Sequence, residues 1–143
     1  MANMSSDVDS LRLSKLPHFI DEAGELTAID ASVTVPFLIS RVFFVRAPHG
    51  AVRGQHAHLA CSQFLICPSG SVFVRFEDGE RAVDFALNSP DLGIFVPPGI
   101  WSQQAYIGDN AVLMVLCDKP FEESDYIRDY EEFKLLRRAT RDS

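Results

Sequence analysis

Between Phe19 and Arg128 the chain is a succession of short apolar or alternating runs, rich in Val, Ile and Phe and broken by Gly, Pro, Asn and Asp. Runs of that length and composition form β-strands, so this punctuation restricts most of the chain to an all-β architecture. The runs fall at residues 18–21, 26–29, 37–45, 55–58, 63–69, 70–77, 81–87, 93–96, 101–105 and 111–117, with no repeating unit. Residues 22–25, 77–80 and 107–110 each place Gly or Asn where a hairpin takes positive φ, which makes the flanking strands antiparallel neighbours. Within 71–77 the polar Ser71, Arg75 and Glu77 share one parity and Val72, Val74 and Phe76 the other. One face on a core and one toward water implies a double-layer barrel or sandwich.

The tail reads differently. Residues 122–133 open with acidic side chains and then space Tyr126, Ile127, Tyr130 and Phe133 at three or four, which predicts one or two short helices. The polar ends, residues 1–12 and 137–143, are expected to be loosely held around a single domain spanning 1–143.

A chain of 143 residues suits one domain able to bury a core. With 47% hydrophobic and 23% charged residues and no run able to span a bilayer, a soluble globular protein with no membrane partner is expected. The formal charge of -7 argues against nucleic acid, whose binding needs a basic surface; a few arginines in a pocket still attract a small anion. The N-terminal stretch lacks the apolar core and small-residue cleavage site of a secretory signal, so the cytoplasm is the expected compartment. Cys61, Cys67 and Cys117, odd in number and without CxxC spacing, read as buried reduced thiols.

His56 and His58 lie two apart in a predicted strand, so both imidazoles share one face, and on a barrel strand that face looks into the cavity. The surrounding spacing resembles the first cupin motif, G-x5-H-x-H-x3,4-E-x6-G, with Gly50, His56, His58 and Gly70 in place and Gln63 where the glutamate belongs. Pro97-Pro98-Gly99 resembles the second motif, G-x5-P-x-G-x2-H-x3-N, with its first glycine displaced to Gly93. Ser102 stands at its histidine and Tyr106 at its asparagine. The resemblance implies a double-stranded β-helix, a jelly-roll barrel, with a short C-terminal helical segment. Two imidazoles, a neutral amide and a hydroxyl make a poor divalent site, so no metal is expected. A histidine titrating near neutrality is suited instead to moving a proton beside a carbonyl.

Longer stretches are similar to the nucleotide-linked 4-keto-6-deoxyhexose 3,4-ketoisomerases, metal-free cupins of deoxysugar biosynthesis. They are Arg41-Val42-Phe43-Phe44, Arg53-Gly54-Gln55-His56-Ala57-His58, Gln63-Phe64-Leu65-Ile66, Ser69-Gly70-Ser71, Pro97-Pro98-Gly99-Ile100-Trp101, and the run from Asp125 to Phe133. The resemblance implies a dTDP-linked keto-deoxysugar substrate, no cofactor and a homodimer. His56 and His58 are then the catalytic pair, with His56 the base at C3 and His58 its relay in an order left open. Arg46 and Arg53, with Arg41 as a third, are candidate diphosphate clamps. Gln63, Trp101 and Tyr106 complete the expected substrate contacts. Where such proteins often carry a tyrosine, this chain has Phe43 and Phe44, and Tyr106 is the candidate replacement for that hydroxyl. Leu59 stands where lysine commonly follows the histidines, and Asp21 to Leu26 replaces a D-x-R-G-x-L hairpin. A sugar-nucleotide epimerase, a non-catalytic ligand-binding cupin and a metal-dependent oxygenase are the competing readings.

Overall fold

Alternation along the strands sets the architecture. The computed structural model describes residues 6–142. A 3-10 helix at Val8–Ser10 precedes β1 (Leu13–Lys15), β2 (His18–Asp21), β3 (Gly24–Thr27), β4 (Arg41–Arg46) and β5 (Val52–His58). Then come β6 (Gln63–Glu77), β7 (Ala82–Leu87), β8 (Leu92–Val96), β9 (Trp101–Cys117), β10 (Tyr126–Ile127) and α1 (Tyr130–Asp142). Strands β2 and β3 form a separate hairpin; the rest make one antiparallel network. The first half of β6 pairs with β8 and its second half with β7, while β9 pairs with β5 through its first half and β4 through its second. Because β6 and β9 also pair along their length, both strands pass from one layer into the other and close the jelly roll.

The expectation of two separate strands, one ending and one beginning at residues 69–70, and of a hairpin at 107–110, is corrected here. Register slips by several residues between Ser69↔Val112 and Ser71↔Ile107, so 108–111 bulge out of a continuous β9 opposite a bend in β6. Gly70 is required at that bend: its φ is +73°, and a Cβ there would lie 2.7 Å from the Ala111 Cα. Bulge and hairpin turn share the same residue preferences, which is why the sequence reads as a turn.

Leu65, Val72, Val74, Phe76, Ile94, Leu113 and Val115 fill the space between the layers. Each such side chain contributes about 1.5–3 kcal/mol on burial. A second cluster of Ala57, Trp101, Ile127 and Phe133 seals α1 onto the outside of β5. Tyr126 and Ile127 are not helical, as their spacing suggested; they pair with His58 and Ala57. The chain ends are also more firmly held than expected over the described residues. Val8 and Leu11 are buried, and the Asp78 carboxylate accepts the Val8 N–H at 2.9 Å. The buried Arg137 guanidinium donates to the Asp78 carbonyl at 2.8 Å and to the Ser6 carbonyl. Residues 1–5 and 143 lie outside the described residues.

Candidate active site

In a regular strand Arg53 and His56, three residues apart, would project to opposite faces. Strand β5 avoids this with one extra residue: Gly54 pairs with Gln103 and His56 with the next position, Ser102, leaving Gln55 unmatched. Gly54 (φ 85°) and Gln55 (φ 57°) both take left-handed backbone. The bulge resets the phase, so Arg53 and His56 line the same cavity of about 190 Å³, together with Gln63, Gln104, Tyr106 and Tyr126. A Cβ on Gly54 would sit 2.6 Å from the Gln104 Oε1, whereas Gln55 holds its conformation at a cost of about 1–2 kcal/mol.

Backbone and carboxylate partners assign the histidine protons. His56 Nδ1 is 3.0 Å from the Gly54 carbonyl oxygen and His58 Nδ1 is 2.8 Å from Asp125 Oδ2. Each acceptor requires Nδ1–H, which leaves the lone pair of each ring on Nε2. The rings meet edge-on with centroids 5.0 Å apart, and the Tyr126 ring lies 5.0 Å from His56 and 4.4 Å from His58. Of the two imidazoles, His56 lines the cavity; the Nε2 of His58 is buried behind it without a hydrogen-bond partner. Burial, with the neighbouring His58 adding to it, pulls His56 down to about 4. Burial also lowers His58, against the opposing effect of the hydrogen bond it donates to Asp125. Both rings are therefore neutral near pH 7 and able to accept a proton.

Of the other expected site residues, Gln63 and Tyr106 line the cavity, with the Tyr106 hydroxyl buried and unpartnered. Arg41 shares the inward parity of β4 with Phe43 and Val45, and its guanidinium donates to the Tyr126 hydroxyl at 3.4 Å and the Cys117 sulfur at 3.6 Å. Arg46 is a correction: it projects from the outer face of β4 with Val42 and Phe44, away from the cavity. Trp101 lies on the other side of its sheet from Gln104 and Tyr106, 5.2 Å from the Tyr130 ring and 5.5 Å from Phe133, where it seats α1. There it also lines a second, open cavity of about 460 Å³ that shares Arg128 with the first. Sequence reading missed Asp125, Tyr126 and Arg128 as site residues. Arg128 lines the cavity, lies 4.2 Å over the Tyr126 ring and pairs with Glu123 at 2.8 Å.

His58, Cys61 and Asp125 bring three potential metal-ligand atoms within 4.8 Å of one another. The donor set does not fit an ion. The His58 nitrogen and an Asp125 oxygen are already joined by a hydrogen bond, the other Asp125 oxygen accepts the Ala60 N–H at 2.7 Å, and Cys61 is held as a thiol. Contact with the Cys117 sulfur and then burial push the Cys61 thiol up.

A family model described as "FdtA: WxcM-like, C-terminal" matches residues 9–138. The chain belongs to this family. It is 38% identical over 116 residues to the TDP-4-oxo-6-deoxy-α-D-glucose-3,4-oxoisomerase of Aneurinibacillus thermoaerophilus, covering 80% of this chain and 84% of that one. Among solved structures, a histidine-to-asparagine variant of a 3,4-ketoisomerase from Thermoanaerobacterium thermosaccharolyticum, in complex with TDP-4-keto-6-deoxyglucose, superposes with a TM-score of 0.85. It is 30% identical, over 90% of this chain and 94% of that one. A TDP-quinovose 3,4-ketoisomerase from Campylobacter jejuni gives 0.82 at 31% identity, over 90% and 99%. The FdtA-like chain is therefore an isomerase on a cupin barrel.

Proposed function

We propose that the chain converts TDP-4-keto-6-deoxy-D-glucose into the 3-keto isomer by proton transfer through an enediolate. The observation that carries this is the neutral His56, its Nδ1–H pinned to Gly54 and its Nε2 lone pair left for the cavity. The hydrogen on C3 is acidified by the C4 ketone, and His56 removes it. The C4 oxygen takes a proton as the enediol forms; the C3 hydroxyl then gives up its proton as C4 receives one. Hydrogen balances within the sugar, so no redox cofactor is consumed. His58, backed by Asp125, stabilises and relays the charge that His56 acquires. Tyr126 takes the place that Phe43 and Phe44 leave without a hydroxyl: it borders the cavity, touches both imidazoles and has its oxygen held by Arg41. Arg53 and Arg128, both on the cavity wall, are the diphosphate clamps, since guanidinium groups match phosphate oxygens in pairs.

The same reading includes a homodimer. Phe19, Ile20 and Leu26 on the β2–β3 hairpin and Val42 and Phe44 on β4 are exposed large apolar residues. A groove between Glu25, Thr27, Ile29, Ile66 and Met114 joins hairpin to sheet, and Met114 is the β9 partner of Phe44. A second copy covering this face is expected, and light scattering at working concentration should give twice the chain mass; a monomer would refute the pairing.

The reaction is tested by NMR after incubation with TDP-4-keto-6-deoxyglucose in deuterated water. A carbonyl at C3 and deuterium at C4 are expected. A product whose carbonyl is still at C4 and whose configuration is inverted at a deuterated neighbouring carbon would make the protein an epimerase.

A further inference from the structure

Cys117 is the Cα partner of Arg41 on one neighbouring strand and of Gln63 on the other, so the three side chains form a row across β4, β9 and β6. Two nitrogen donors converge on its fully buried sulfur, the Arg41 guanidinium at 3.6 Å and the Gln63 amide nitrogen at 3.7 Å, while the neighbouring Cys61 thiol donates to the Ser62 carbonyl at 3.3 Å. A neutral thiol would have its own proton to place beside these incoming ones; a thiolate accepts both and balances the charge of a guanidinium that hydrogen-bonds to no carboxylate among the described residues. We propose that Cys117 is a positioning residue for the isomerase reaction, a thiolate that fixes the Gln63 amide and the Arg41 guanidinium and, through Arg41, the Tyr126 hydroxyl.

The consequence for Gln63 is a choice of amide orientation. With Nε2 committed to sulfur, Oε1 is left for a hydroxyl of the ligand in the cavity that Gln63 lines. The consequence for Tyr126 is similar, because its oxygen accepts from Arg41 and keeps its own proton for donation. The Cys61 thiol, ahead of the Arg41 and Gln63 donors, lowers the Cys117 thiol well below its ordinary range despite burial. The charged and titratable groups around the pair are Arg41 from β4, Tyr126 from β10, and His58, Asp125 and Asp118 beyond Cys61.

This role rests on the ketoisomerase reading, and the test separates the two. The ultraviolet thiolate band of wild-type protein is titrated downward from neutral pH beside the Cys67→Ala and Cys117→Ala variants. A band kept by Cys67→Ala and lost in Cys117→Ala is expected; no band at neutral pH would overturn the proposal. In turnover, Cys117→Ser should lower kcat/KM about tenfold, the worth of one charge-assisted hydrogen bond, and should lose the acid limb that follows the thiolate. Full kcat/KM with an unchanged pH profile in Cys117→Ser would leave Cys117 a packing residue and overturn the role. If wild-type protein leaves the carbonyl at C4, the ketoisomerase reading fails and the positioning role falls with it, while the band still reports the thiolate.

Discussion

Two breaks in strand regularity, one at Gly70 and one at Gly54-Gln55, do different work. At the corner of β6 and β9 the break carries the chain from one layer to the other, and the only left-handed residue in β6 is a glycine. In β5 the break resets which side chains face inward, and it does so with a non-glycine residue at φ 57°. Strain on a side-chain-bearing residue is tolerated where it brings Arg53 and His56 to one cavity, whereas bending the sheet needs none. The fold is built at low backbone cost; the site is not.

The largest expected effect lies at the end of the β5 bulge. His56→Asn keeps an N–H donor near the Nδ1 position, able to reach the Gly54 carbonyl, but removes the base, and kcat should fall about a thousandfold with a near-native melting temperature. Substitution at the two glycines should split stability from activity. Gly54→Ala drives a Cβ into the Gln104 amide and shifts His56, so a loss of roughly a hundredfold in kcat/KM is expected at modest cost in stability. Gly70→Ala meets the Ala111 backbone instead, and should cost about 2–4 kcal/mol in denaturant unfolding while the folded fraction keeps its kcat. Equal activity losses in the two variants would break the comparison. Asp125→Asn frees the His58 ring, and roughly a 10–100-fold loss of kcat/KM should follow.

A smaller effect reads the same region through pH. His56 is lowered from 6.5 to about 4 in the folded chain, so on acidification the unfolded chain takes its proton first. The contribution of neutral, buried His56 is complete above 6.5 and is lost as pH falls toward 4. Melting temperatures across that window should drop more steeply for wild type than for His56→Asn; parallel curves would contradict the assignment.

Much of the site's parity is legible in the sequence. Arg41, Phe43 and Val45 alternate with Val42, Phe44 and Arg46, so strict period two already separates Arg41 from Arg46. Along β9, cavity-lining Gln104 and Tyr106 share parity with Ser102, which leaves Trp101 on the reverse face. The bulge was harder, because only tertiary pairing shows that Gln55 is the extra residue. Tyr126 escaped because its spacing to Tyr130 and Phe133 also suits a helix, and its two-residue strand is held by β5 rather than by local propensity. The positions of β2 to β9, and the hairpins at 22–25 and 77–80, followed from alternation and turn residues alone, whereas β1, β10 and the continuity of β6 and β9 did not.

The central claim is that His56 removes the C3 proton, with His58 and Asp125 behind it. The most direct measurement is the deuterium content at C3 of unreacted TDP-4-keto-6-deoxyglucose recovered from deuterated water after incubation with wild type, Asp125→Asn and His56→Asn. The account predicts exchange with wild type, slower exchange with Asp125→Asn and none above the enzyme-free background with His56→Asn. Exchange at the wild-type rate in His56→Asn would contradict it.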